Sequence, residues 1–283
     1  MPDMTPAASV NPPAQRMPAY FFAHGAGPCF FMDWPYGAPD TWDRLGQWLR
    51  SMGPQVQALA GRPAAIVVVS AHWETSPLRV NGLHRNGLLY DYGGFPPHTY
   101  ALRYPAPGSA PLAGRVAGLL ADCGFEVQRD EDRGLDHGVF IPLMLAYPEA
   151  DIPVVQLSLH PSLDPAFHYA VGQALAPLRD EGVLLLGSGM SYHNRPDFGP
   201  GAQQLAQAFD AWLTDAVCAR MGAARAEQLA RWLQAPGARQ AHPREEHLLP
   251  LIVMAGAAGQ EPAHATFAEP IAGIPVSCYR FGG

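Results

Sequence analysis

The run Ala64-Ala-Ile-Val-Val-Val-Ser-Ala71, closed by His72, holds small and β-branched side chains and no charge. A run of this length suits a strand better than a helix, and its unbroken apolar character predicts burial on both faces. Strands of that kind belong to parallel sheets covered by helices. Ala19–Ala23, Val154–Leu159 and residues 183–186 have the same character. Between and after them, amphipathic stretches near residues 42–52, 110–123, 165–179, 203–220 and 225–234 predict helices. Asp164 before Pro165 is a good helix start, with a side-chain cap and a proline in the first turn. Gly124 and Gly182 stand where C-terminal caps belong, and residues 248–258 read as a helix with Pro250 near its first turn. The alternation predicts an α/β fold: a single three-layer αβα domain over residues 17–283 with a mostly parallel or mixed central sheet. The Pro- and Ala-rich residues 1–16 predict a disordered arm.

The 283 residues include 18 basic and 25 acidic side chains, a net charge of −7. Every basic residue is Arg. The absence of Lys excludes Schiff-base chemistry, a P-loop lysine and a kinase-type lysine together. An acidic balance argues against nucleic acid or an anionic membrane as partner. Cys29, Cys123, Cys218 and Cys278 form no C-x-x-C pair, so neither a disulfide framework nor a thiolate zinc site is expected. The first sixteen residues lack the apolar core of a secretory signal, and no apolar run reaches membrane-spanning length. A cytoplasmic protein is the expectation.

Several motifs fail on inspection. Leu186-Gly-Ser-Gly-Met190 is not G-x-S-x-G, and Gly25-Ala-Gly27 lacks the rest of a dinucleotide fingerprint. His242-Pro-Arg-Glu-Glu-His247 sets its histidines five apart, off one helical face. The remaining histidines are more informative. His24 follows the first apolar run, His72 follows the second, and His193 comes a few residues after 183–186, beyond an expected Gly-Ser-Gly turn. In a parallel sheet the carboxyl ends of strands face one side, where open α/β proteins bind ligands. Any one of these histidines alone reads as a satisfied loop or core residue. Three placed alike point to a metal site, because neutral imidazole is the commonest metal ligand. His137 precedes an expected helix and is a candidate fourth polar group. His84, His160, His168 and His264 are expected at the surface. Residues 92–100 and 104–108 are rich in Pro and Gly, which makes them either loops walling an active site or plain surface excursions.

In chain order, Ala23-His-Gly25, Ser70-Ala-His-Trp73, Gly93-Gly-Phe-Pro96, Tyr104-Pro-Ala-Pro-Gly108, Asp136-His-Gly138, Asp151-Ile-Pro-Val-Val-Gln-Leu157, His193-Asn194 and Glu246-His247 resemble the class III extradiol ring-cleavage dioxygenases, in the DOPA 4,5-dioxygenase-like branch. The resemblance runs from about Met17 to Phe281. It implies a three-layer αβα fold and a mononuclear Fe(II) site, with Zn(II) also found in this branch. It implies His24, His72 and His247 as metal ligands, and His193 as either a further ligand or the base. His137 is implied to hydrogen-bond substrate or oxygen. The substrates implied are a small catechol and O2. The usual non-haem Fe(II) set is two histidines and a carboxylate, whereas the C-terminal region here offers Glu245, Glu246 and His247. Trp73, Phe95, Tyr100 and Arg103 are candidate substrate-binding residues, with Arg103 placed to meet a carboxylate on the catechol's side chain. Two other functions share these residues: a zinc hydrolase whose histidines activate water, and a non-catalytic metal-binding or interaction protein on the same scaffold. The sequence leaves open which catechol is used, which C–C bond opens and how many subunits assemble.

Overall fold

Along the central strands, successive side chains enter opposite cores. Phe21, Val67, Val69, Leu185 and Leu157 pack in one cluster, while Tyr20, Phe22, Ile66, Val68, Leu184 and Leu186 pack in the other. This period-two division, apolar on both sides, makes the sheet the middle of three layers. Burying each such side chain contributes about 1.5–3 kcal/mol. The computed structural model describes residues 16–194, 196 and 201–283. The expected arm lies outside the described residues apart from Arg16, which pairs with Asp180 and Glu261.

In chain order the elements are β1 (Ala19–Ala23), α1 (Asp43–Ala60), β2 (Ala65–Glu74), β3 (Leu78–Asn81), α2 (Ala110–Asp122), β4 (Val127–Asp130), α3 (His137–Ala146), β5 (Val154–Leu159), α4 (Pro165–Leu175), β6 (Val183–Gly189), α5 (Gln203–Cys218), α6 (Gly222–Ala230), α7 (Ala238–Ala241), α8 (Leu249–Ala258), β7 (Ala263–Ile271) and β8 (Ile274–Phe281). The sheet order is β4-β3-β5-β2-β6-β1-β8-β7. β5, β2, β6 and β1 run parallel, and β8 and β7 add an antiparallel flank beside β1. The sheet is therefore mixed around a parallel core. α1 and α3 cover one face, while α2, α4, α5 and α8 cover the other. Asp164 caps α4 by accepting from the Ala166 amide, and Gly182 takes the left-handed conformation after the following 3-10 turn. No helix among the described residues is long and apolar enough to cross a membrane.

Three expectations need correction. β2 continues to Glu74, so His72 lies within the strand, where alternation sends it and Trp73 to opposite sides. β6 continues through Gly189, so Gly-Ser-Gly is strand and not turn. Its glycines serve close approach: a Cβ on Gly189 would collide with the His247 carbonyl oxygen, and one on Gly187 would sit 2.5 Å from that of Pro250. His168 is buried, because its Nδ1 bonds the Asp164 carbonyl at 2.7 Å and its Nε2 accepts from the His160 amide at 3.1 Å. His84 and His264 are exposed, and His160 is half-buried.

Candidate active site

The carboxyl ends of β1, β2 and β6 meet at one edge of the sheet, and the segment ahead of α8 folds over it. The His24 amide donates to Gly189 O at 3.1 Å, and the Met190 amide donates to His247 O at 3.1 Å. Backbone bonds thus tie the ends of β1 and β6 to the 247 segment. His137 is the first residue of α3, positioned by its buried neighbour Asp136. That carboxylate accepts from Ser70 Oγ at 2.8 Å, from Arg133 at 3.3 Å and from the Gln156 amide.

His24, His72 and His247 each offer a ring nitrogen, and these atoms lie within 4.8 Å of one another. Their ring centroids are 4.8, 5.2 and 4.9 Å apart. Nε2 of His24 is 3.1 Å from Nε2 of His72. The hydrogen-bond network assigns the protons. Ser188 Oγ donates to Gly138 O, so His24 Nδ1 is the donor in its 2.9 Å contact with that hydroxyl. His247 Nδ1 donates to Glu246 Oε1 at 2.9 Å. His72 Nδ1 stands 3.6 Å from Asp91 Oδ2, which favours its proton on the same nitrogen. The Nε2 atoms are left with bare lone pairs, and that of His247 is buried without a protein partner. An unsatisfied buried acceptor costs about 1–3 kcal/mol, and converging lone pairs repel. A divalent cation relieves both effects, so the donor set fits a metal.

Electrostatics point the same way. Burial first, then the neighbouring imidazoles, holds His24 and His72 well below the ordinary histidine value. Burial takes His247 down to about 4, although Glu246 pulls it upward. All three are neutral at pH 7, the form that ligates metal. Burial would raise the Glu246 carboxyl, but hydrogen bonds from His193 and His247 hold it well below the usual carboxylate range.

His193 adjoins the group of His24, His72 and His247 at His247. Its ring stacks on that of His247 with centroids 3.3 Å apart, and its Nδ1 is 3.4 Å from Glu246 Oε1. The His137 ring is 4.1 Å from that of His72. Asp91 accepts from both the His137 amide at 3.0 Å and its Nδ1 at 2.7 Å. Burial alone would raise Asp91, but these bonds and the nearby imidazole lower it. Glu245 pairs with Arg239 at 2.6 Å. The carboxylates of this region therefore sit behind imidazoles or on a surface Arg, outside the group formed by the three imidazoles.

A cavity of about 570 Å³ opens over these groups, large enough for a substituted aromatic ring. Phe95 lines it, held close because Gly27 has no side chain: a Cβ there would meet the Phe95 ring at 2.9 Å. Trp73, Tyr100 and Arg103 are not among its lining residues. Trp73 is buried beneath the Arg133 guanidinium, 4.8 Å above its ring. The exposed Tyr100 hydroxyl contacts Phe95 N and Tyr92 O, both at 3.5 Å, and Arg103 is exposed. Sequence reasoning missed Asp91 and Ser188, which fix imidazole orientation, and the lining aromatics Trp34, Tyr36, Trp42, Tyr92 and Tyr192. A signal existed for the first three aromatics, since residues 34–42 concentrate large rings in a short loop.

Residues 18–282 match the family described as the catalytic LigB subunit of aromatic ring-opening dioxygenase. The chain belongs to this family. A protein of Beta vulgaris named 4,5-DOPA dioxygenase extradiol is 48% identical over 246 residues, covering 85% of this chain and 87% of the relative. A Portulaca grandiflora protein of the same name is 40% identical over 249 residues, covering 86% and 87%. Among solved structures, an Escherichia coli K12 protein described as uncharacterized protein JW3007 superposes with a TM-score of 0.73 at 33% identity, covering 94% of this chain and all of that one. As a LigB-family member the chain is an extradiol ring-cleavage dioxygenase, an oxidoreductase acting on a small aromatic molecule and O2 in a metal-dependent reaction.

Proposed function

We propose that residues 17–283 form one catalytic unit that opens a DOPA-like catechol beside its hydroxyl groups, with Fe(II) held by His24, His72 and His247. The observation that carries this reading is the convergence of three neutral imidazoles on the floor of an aromatic-walled cavity. The relatives named 4,5-DOPA dioxygenase extradiol support the choice of catechol. Bound there, Fe(II) supplies the redox and Lewis-acid chemistry through which a catechol and O2 react, whereas Zn(II), which the same imidazoles suit, has no redox chemistry. His193 takes the proton from a catechol hydroxyl, and Glu246 behind its Nδ1 stabilises the resulting imidazolium. Asp91 fixes His137 through Nδ1 and leaves Nε2 to hydrogen-bond the reacting oxygens. Phe95 and Tyr92 exclude water above the ring. Four unpaired cysteines support a reducing compartment, the cytoplasm.

The test is anaerobic reconstitution with Fe(II) or Zn(II), followed by O2 uptake over a catechol panel. Fe(II) protein should consume one O2 per catechol and give a yellow ring-opened product, while Zn(II) protein should give neither. O2-independent hydrolysis by the Zn(II) form, with no ring opening by the Fe(II) form, would overturn the reading.

A further inference from the structure

We propose that the cavity selects catechols whose side chain carries an ammonium group over those carrying only a carboxylate, with Trp34, Tyr36 and Trp42 as the receiving wall. The inference rests on the ring-opening reading for where the catechol hydroxyls sit, and on separate observations for the side chain. Histidines and Asp91 gather at the metal end of the cavity. The segment between β1 and α1 contributes Trp34, Tyr36, Thr41 and Trp42 to the same lining. The Trp34 ring lies 5.2 Å from Tyr36 at 78° and 5.4 Å from Trp42 at 85°. These near-perpendicular planes build a corner of aromatic rings, a surface that attracts cations through the ring quadrupole. Tyr36 is 70% exposed, a large aromatic side chain left in water at the rim.

Charge agrees with that surface. No Arg lines the cavity among the described residues. The two guanidinium groups bonded to site residues are engaged elsewhere: Arg133 on Asp136 and the His72 carbonyl, Arg244 on Glu74 and Glu246. The segment itself carries Asp33 and Asp40 with no Arg among its residues, Asp43 opens α1, and Arg44 beside it is paired with Glu269. A carboxylate there would lose water without gaining a charged partner, whereas an ammonium gains ring faces and a negative local field. A zwitterionic side chain is received by its ammonium end. Arg195 follows the lining residue Asn194 in sequence and lies outside the described residues, so the test includes it.

The experiment uses three catechols that share a two-carbon stem on the ring: 4-(2-aminoethyl)catechol, 4-ethylcatechol and 3-(3,4-dihydroxyphenyl)propionate. Their Kd values are measured by calorimetry under argon and their kcat/KM by O2 uptake, on Fe(II)-loaded wild type, Tyr36→Ala, Trp34→Leu and Arg195→Gln. The amine should exceed the ethyl compound by about three- to thirtyfold in affinity, taken as 1/Kd, and in kcat/KM, with the carboxylate weakest. That ratio should fall toward one in Tyr36→Ala, whose exposed position protects folding, and in Trp34→Leu. It should persist in Arg195→Gln. An amine-to-ethyl ratio of one or less in the wild type overturns the proposal. So does a ratio unchanged in both aromatic variants, or a carboxylate preference that Arg195→Gln abolishes. Amine-selective binding without turnover of any catechol would support this wall and overturn the ring-opening reading. Turnover of all three at one rate, with equal Kd values, would do the reverse.

Discussion

Glu246 shows how much of the site depends on a side chain behind the imidazoles. It accepts from His247 Nδ1 at 2.9 Å and lies 3.4 Å from His193 Nδ1, so one carboxylate orients a proposed ligand and the proposed base together. Glu246→Gln keeps the shape but removes the charge that fixes the tautomer of His247. Metal affinity, read by competition with a chelator, should weaken about 10- to 100-fold. His193→Ala separates base from ligand. In the base role kcat should fall by about 10²-fold or more, with metal content and circular dichroism unchanged. Loss of metal along with activity would instead make His193 a ligand. Asp91 and Ser188 were not legible because no local spacing marks them. Each acquires its role only when a loop or strand from elsewhere in the chain meets a histidine.

At the scale of elements, strand and helix reading worked where one apolar pattern was unmixed. The β1 and β5 boundaries are those that their apolar runs indicate. The short strands β3 and β4 went unread because Leu-Arg-Val-Asn and Val-Gln-Arg-Asp carry too much polarity and too little length to show a period. β7 and β8 were missed despite a turn signal at Ala272-Gly273, both with positive φ, because Pro270 and Pro275 flank it. The misread Gly187-Ser-Gly189 stretch teaches the most. Its glycines keep a strand flat against the approaching 247 segment, where a turn was expected. Gly189→Ala should push the His247 backbone outward and open the three-imidazole group. The expected result is a destabilisation of about 1–3 kcal/mol from overpacking, measured in urea, with metal stoichiometry falling further than stability alone explains. A variant with full metal content would mean that the 247 segment shifts without carrying its imidazole along.

Over the whole molecule, the ordered series of motifs made the αβα fold and the convergence of His24, His72 and His247 legible together, whereas composition alone did not distinguish a converging histidine from a structural one. His168 was expected at the surface and is instead a buried, fully bonded neutral imidazole, lowered to about 4 chiefly by burial. Its linkage to folding has a definite sign. The unfolded chain, with the ordinary histidine value of 6.5, binds a proton that the folded one refuses until about pH 4. Stability from this residue is therefore complete above about pH 6.5 and declines as pH falls toward 4, by about 3 kcal/mol in total. For a chain of this size that corresponds to a drop of about 6 °C in Tm. His24, His72 and His247 are lowered in the same direction, so wild-type melting alone does not isolate His168. His168→Asn does, because those contributions cancel between the two proteins. The variant leaves the His160 amide unpaired and should melt below wild type at pH 7. The gap should narrow steadily between pH 6.5 and 4, since only the wild type loses the linked stability. A gap constant across that range would show that His168 keeps the same proton affinity folded and unfolded, and that its burial carries no penalty for charge.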